Sequence, residues 1–156
     1  MERREFMHKG SGAAALGLAA AAGLVPAGAG AQNVPGWNKT AFESKSLADA
    51  VKALGGGTPT ESKDLVLQAP EIAENGAVVR LGAQSNIPGT TQVAIVVEKN
   101  PNALAAVFDI PAGTDPVIAT NVKMGQSSNV YAVAKAGDKF YYAAKEVKVT
   151  LGGCGG

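Results

Sequence analysis

The chain has 156 residues, enough for one domain and an appendage, and its 14 basic residues balance 13 acidic ones. That balance excludes a nucleic-acid binder or a polybasic membrane module. Twenty glycines with only 17% charged residues describe a turn-rich globular protein, because a disordered chain is more polar and more charged.

The N-terminus reads Arg3-Arg4-Glu5-Phe6-Met7-His8-Lys9, followed by an Ala-, Gly- and Leu-rich run over residues 10–25 that Pro26 closes. The run is about 16 residues long and weakly apolar, whereas a membrane span needs about 20 strongly apolar ones. Ala29-Gly30-Ala31 supplies the small residues of a signal-peptidase site. Residues 1–31 are therefore expected to be a cleaved signal, of twin-arginine type by Arg3, Arg4, Phe6 and Lys9, directing the chain to the periplasm. Removing Arg3, Arg4 and Lys9 with Glu2 and Glu5 leaves 11 basic and 11 acidic residues, a formal charge of zero.

The single histidine, His8, leaves with the signal. Imidazole-based triads, blue-copper sites, His-ligated zinc and C-x-x-C-H haem attachment are then excluded from the mature chain. One cysteine cannot form an internal disulfide. The acids are scattered and lack a D-x-D-x-D-G loop, and Gly55-Gly56-Gly57-Thr58 lacks the G-K-[ST] ending of a phosphate loop. Neither a metal nor a cofactor is expected. Asn38-Lys39-Thr40 fits a glycosylation sequon, which a bacterial export route makes coincidental.

Residues 32–57 form an N-terminal segment and a helix. Phe42, Leu47, Ala50, Val51 and Leu54 make an apolar stripe, which predicts a helix over 40–54 with Asn38 or Thr40 as its cap. The three glycines at 55–57 stop it. Trp37 is expected to pin this segment to the core.

Residues 58–151 read as strands, at 64–69, 77–83, 92–98, 104–110, 116–124, 129–135 and 139–151. Turn residues separate them, such as Asn75-Gly76, Pro88-Gly89 and Gly137-Asp138. In the last segment Val147, Val149 and Leu151 alternate with Glu146, Lys148 and Thr150, giving one buried and one wet face. Seven such strands predict a mainly β fold, an immunoglobulin-like antiparallel sandwich with a helix in front.

Residues 152–156 read Gly152-Gly153-Cys154-Gly155-Gly156. Glycine adds no side chain to packing and loses the most entropy on ordering, so this stretch predicts a mobile, slender arm with one reactive group. A buried structural cysteine would sit among apolar neighbours instead. No basic residue flanks Cys154 to favour its thiolate, which argues against a stand-alone thiol enzyme. Two roles fit: a handle for cargo, or an interchain disulfide in a structural sandwich protein.

The terminal Gly-Gly-Cys-Gly-Gly on an exported sandwich resembles the SoxY family, the sulfur carriers of bacterial Sox thiosulfate oxidation. Residues 67–79, Leu-Gln-Ala-Pro-Glu-Ile-Ala-Glu-Asn-Gly-Ala-Val-Val, resemble it too, with Arg80 standing where many members have proline. The resemblance implies that Cys154 carries sulfur covalently while separate enzymes act on it. Those are a c-type cytochrome that couples thiosulfate to the thiol, a manganese hydrolase that releases sulfate and, in some systems, a sulfane dehydrogenase. It also implies a heterodimer with a SoxZ-like sandwich, and Gly152, Gly153, Gly155 and Gly156 as a swinging arm. On this resemblance the chain is not itself an enzyme, and neither nucleic acid nor membrane is among its partners.

Overall fold

Asn38 opens the first helix by accepting the Ala41 amide on Oδ1 at 3.0 Å, an N-cap of the expected kind. The computed structural model describes residues 37–150. The expected signal at 1–31, the residues up to 36, and Leu151 with the expected arm at 152–156 lie outside the described residues.

The helix predicted over 40–54 is two: α1 (Lys39–Phe42) and α2 (Leu47–Ala53). Serine chemistry interrupts the apolar stripe. Ser46 is extended, at φ −145° and ψ 165°, and its Oγ accepts the Asp49 amide, so a new helix starts there. The Ser44 carbonyl is engaged by the Ala103 amide at 2.8 Å. Asn38 Nδ2 ties the two helices together by donating to the Ala53 carbonyl at 2.8 Å. Gly55, at φ +89°, takes the left-handed conformation that ends α2. Trp37 is 59% exposed, so the expectation that it packs into the core is not met.

All seven predicted strands are present: β2 (Leu65–Gln68), β4 (Val79–Ser85), β5 (Thr90–Val97), β6 (Leu104–Asp109), β7 (Val117–Val122), β8 (Ser128–Ala136) and β9 (Lys139–Val149). Two short ones join them, β1 (Thr60–Glu61) and β3 (Ile72–Ala73). The larger sheet runs β1-β9-β8-β5-β6 with β3 also beside β9, and the smaller runs β2-β4-β7. The long ladders are antiparallel, whereas β1 and β3 pair with β9 in parallel. Together they cover parts of the edge of β9 that faces away from β8. The fold is mainly β, a two-sheet sandwich as expected.

Alternation along the strands builds two cores. Val93, Ile95, Val130, Ala132 and Val147 face the smaller sheet, meeting Leu65, Val79, Leu81 and Val122. The opposite face of the larger sheet, with Val96, Val133 and Phe140, packs under Ala41, Ala50 and Val51 of the helices.

Candidate functional site: the end of the last strand

Strand β9 is the only path from the sandwich to Cys154, so its end sets where the cysteine starts from. Val147 is fully buried and Val149 packs against the same core, which holds this end down by apolar burial. Hydrogen bonds hold it from both sides. On one side β3 pairs in parallel, with Ile72 opposite Lys148 and Ala73 opposite Val149. The Lys148 amide donates to the Glu71 carbonyl at 2.9 Å, and the Thr150 amide to the Ala73 carbonyl at 3.1 Å. The Thr150 hydroxyl donates to the Glu74 carbonyl at 3.3 Å. On the other side the Val149 amide donates to Ser127 Oγ at 2.9 Å.

The segment that supplies β3 is itself fixed. Lys145 Nζ donates to the Ala69 carbonyl at 2.7 Å, just before Pro70. After Glu74, Asn75 Oδ1 accepts the Ala77 amide at 2.9 Å, and the Met124 amide donates to the Gly76 carbonyl at 2.7 Å. The fold thus brings part of one stretch that carries the sequence resemblance beside the strand that leads to the other: within 67–79, Glu71, Ala73 and Glu74 bond to the end of β9. Sequence reading left 70–76 as a connection. A two-residue strand carries too little periodicity to be seen, and its partner lies 76 positions along the chain.

The family model for sulfur oxidation protein SoxY matches residues 50–154, a stretch that includes both segments and Cys154. The chain belongs to the SoxY family. SoxY proteins are non-catalytic components of sulfur oxidation, so this chain is not itself an enzyme. It is similar to the sulfur carrier protein SoxY from Chlorobium limicola f thiosulfatophilum, with 36% identity, a TM-score of 0.58, and coverage of 66% of this chain and 96% of that one. It is also similar to a superoxide reductase (neelaredoxin) from Ignicoccus hospitalis, with 16% identity and a TM-score of 0.49, covering 64% of this chain and 87% of that one. No curated protein matches the chain.

Cys154, Gly152, Gly153, Gly155 and Gly156 lie outside the described residues, so the site is defined here by its root at Thr150. Among the described residues, no three His, Cys, Asp or Glu side chains come together as metal ligands, and no helix is long and apolar enough to cross a membrane. Arg80, the departure from the SoxY pattern, lies in β4 opposite Asn121 and is exposed. With Gln68, Pro70, Gly82, Ala119 and Lys145 it lines an open cleft of about 450 Å³. The cleft forms where β2 stops pairing with β4 at Gln68 and Gly82. No sequence signal marks it, because its two cations come from strands 65 positions apart in the chain.

Proposed function

We propose that this chain is a sulfur carrier of periplasmic thiosulfate oxidation, holding substrate covalently on Cys154 and presenting it to separate enzymes. The observation that carries the reading is a firmly held strand end, at Thr150, four residues before the only cysteine of the chain. Family membership over residues 50–154 and the 36% identity to a SoxY from Chlorobium limicola, which is a sulfur carrier protein, support it.

The thiol is first joined to thiosulfate: Cys–SH and S₂O₃²⁻ give Cys–S–S–SO₃⁻, one proton and two electrons. A c-type cytochrome enzyme takes the electrons. Water then cleaves the terminal S–S bond on a manganese hydrolase, giving sulfate, the persulfide Cys–S–S⁻ and two protons. Where a sulfane dehydrogenase is present, the outer sulfur is oxidised to a sulfonate with three waters, releasing six protons and six electrons. A second hydrolysis returns the thiol and another sulfate. The carrier supplies one nucleophilic sulfur and no resident cofactor. Gly152, Gly153, Gly155 and Gly156 leave that sulfur free of neighbouring bulk. A SoxZ-like sandwich is its proposed partner, and folded export by the twin-arginine route, through Arg3 and Arg4, its path to the periplasm.

Intact-mass spectrometry of the protein purified without reductant tests this. Sulfur or thiosulfonate adducts that disappear in Cys154→Ser are the expected result. A disulfide-linked dimer as the sole oxidised form would place Cys154 in assembly instead.

A further inference from the structure

We infer that the open cleft between Arg80 and Lys145 is a binding site for a small dianionic oxyanion, of the class to which sulfate and thiosulfate belong. The inference does not depend on the carrier reading, because no part of it involves Cys154.

The cleft exists because β2 gives out. Pro70 has no N–H to donate, and the β2–β4 ladder ends at Gln68 and Gly82, leaving Leu81 and Arg80 beyond it. Alternation turns Arg80 and Gly82 to the outer face of the smaller sheet, since Val79, Leu81 and Ala83 lie in the core. Gly82 stands in one row with Gln68 and Ala119. Its φ is not positive, so no turn calls for glycine there. A Cβ at that position would lie 3.2 Å from Gln68 Oε1, so the bare backbone leaves room for the Gln68 carboxamide on the cleft floor.

Lys145 arrives from the other sheet. It belongs to the row of β9 that contains Ala143, Val147 and Val149, which packs on the sandwich core, and it is half-buried. Its ammonium leaves the core through the gap past β2, and one N–H is taken by the Ala69 carbonyl at 2.7 Å. Two N–H groups remain for a ligand. Among the described residues neither cation makes an ion pair, and the Arg80 side chain makes no hydrogen bond. No described acid lines the cleft, and Ala69, Pro70, Leu81 and Ala119 form an apolar wall. Two uncompensated positive charges beside such a wall concentrate anions.

The donors define the class. The Arg80 guanidinium can hold two oxygens side by side, while the Lys145 ammonium and the Gln68 carboxamide come from two further strands. A tetrahedral dianion presents oxygens in several directions and matches both charges. A carboxylate has two oxygens in one plane and half the charge. No described aromatic ring lines the cleft to stack a base, which favours an inorganic ion over a nucleotide.

Sodium sulfate is the probe, titrated into the isotope-labelled full chain against sodium chloride of equal ionic strength and followed by amide NMR. The Gly82 and Ala119 signals should shift and saturate at on the order of 1 mM, the strength of two or three hydrogen bonds to charged groups. Thiosulfate should compete for the same signals. Alkylating Cys154 with iodoacetamide beforehand should leave the affinity unchanged, which separates this result from the carrier reading. Arg80→Gln, at an exposed position, should weaken binding about tenfold, and Arg80→Lys, which keeps the charge and loses the fork, by less. Lys52→Gln, in α2 on the far face of the larger sheet, should bind as the unaltered chain does. Shifts that chloride reproduces overturn the inference, as does equal binding of acetate or undiminished affinity in Arg80→Gln.

Discussion

Thr150 and Glu74 meet at the last described residue of the chain, where the threonine hydroxyl donates to the glutamate carbonyl at 3.3 Å. The contact closes a parallel ladder whose other bonds come from the Lys148 and Thr150 amides. It makes the end of β9 part of the sandwich, so the reach of Cys154 is counted from residue 150 and not from the end of the β8–β9 ladder at Val147.

That anchoring can be loosened without touching the cysteine. Ser127→Ala deprives the Val149 amide of its acceptor, and Thr150→Val removes the hydroxyl bond. Each bond is worth about 1 kcal/mol net, or about fivefold in a local opening equilibrium. Hydrogen exchange at Val149 should speed up by that factor in Ser127→Ala, while amides in β5 keep their protection. Unchanged exchange at Val149 would show that apolar burial alone holds the strand end.

Two small substitutions in the helix-covered core should move stability in opposite directions. A Cβ on Gly56 would overlap the Phe140 ring and crowd Val51, both buried. Gly56→Ala is expected to cost about 1–3 kcal/mol by overpacking. Ser44, 5% exposed, has a buried hydroxyl without a hydrogen-bond partner. Ser44→Ala removes that desolvated group and should leave stability equal or raised by up to about 1 kcal/mol. Urea midpoints of the two variants read both effects.

The Tyr131 phenol is pushed above its usual value of 10.0 by burial and, secondarily, by the Glu98 carboxylate. Its hydroxyl donates to Glu98 Oε1 at 3.5 Å, and its ring meets Tyr142 edge-on at 6.0 Å. A raised value in the folded state means that the fold favours the protonated phenol. The stability this contributes is whole below pH 10 and is lost as pH rises through the folded-state value. Absorbance at about 295 nm should show the Tyr131 step, identified by its loss in Tyr131→Phe, above pH 10. Glu98→Gln should lower that step only partly, because burial is the larger cause. A full return to the usual value would assign the shift to charge.

For the arm, replacing Gly152 and Gly153 by valine should leave Cys154 open to iodoacetamide but slow its modification by each partner enzyme. On the proposed carrier role, branched side chains would stiffen and thicken a segment that is to enter the sites of its partners. Deleting the two glycines shortens the reach by about 7 Å, at roughly 3.5 Å per residue, and should act alike. Normal turnover of the valine variant with all partners would remove the glycines from the carrier mechanism.

Much of this was legible along the chain because it rests on local rules. In the last strand Val147 and Val149 alternate with Glu146 and Lys148, and the structure buries Val147, packs Val149 against the same core and leaves the two charged residues exposed. The turn at Gly137-Asp138 lies between strands that pair Ala136 with Lys139, and Gly137 has φ +61°, a conformation glycine adopts without strain. The apolar stripe over 40–54 identified the residues that face the core but not the break between the helices. That break depends on Ser46 capping α2 and on Ser44 meeting Ala103, a partner 59 residues away.

By itself the sequence determined the composition of the terminus: one cysteine between two pairs of glycines, with the chain's histidine confined to the signal-like N-terminus. It also determined the number of long strands, since turn residues separate the apolar runs. Tertiary structure alone decided that residues 71–74 lie against the last strand, that Thr150 is held there, and that Ile72 is turned outward beside it. Such contacts join positions more than 70 residues apart, and a two-residue parallel strand has no local signature. It forms because β9, once placed by its ladder with β8 and by the burial of Val147, offers an edge for Glu71 and Ala73 to bind.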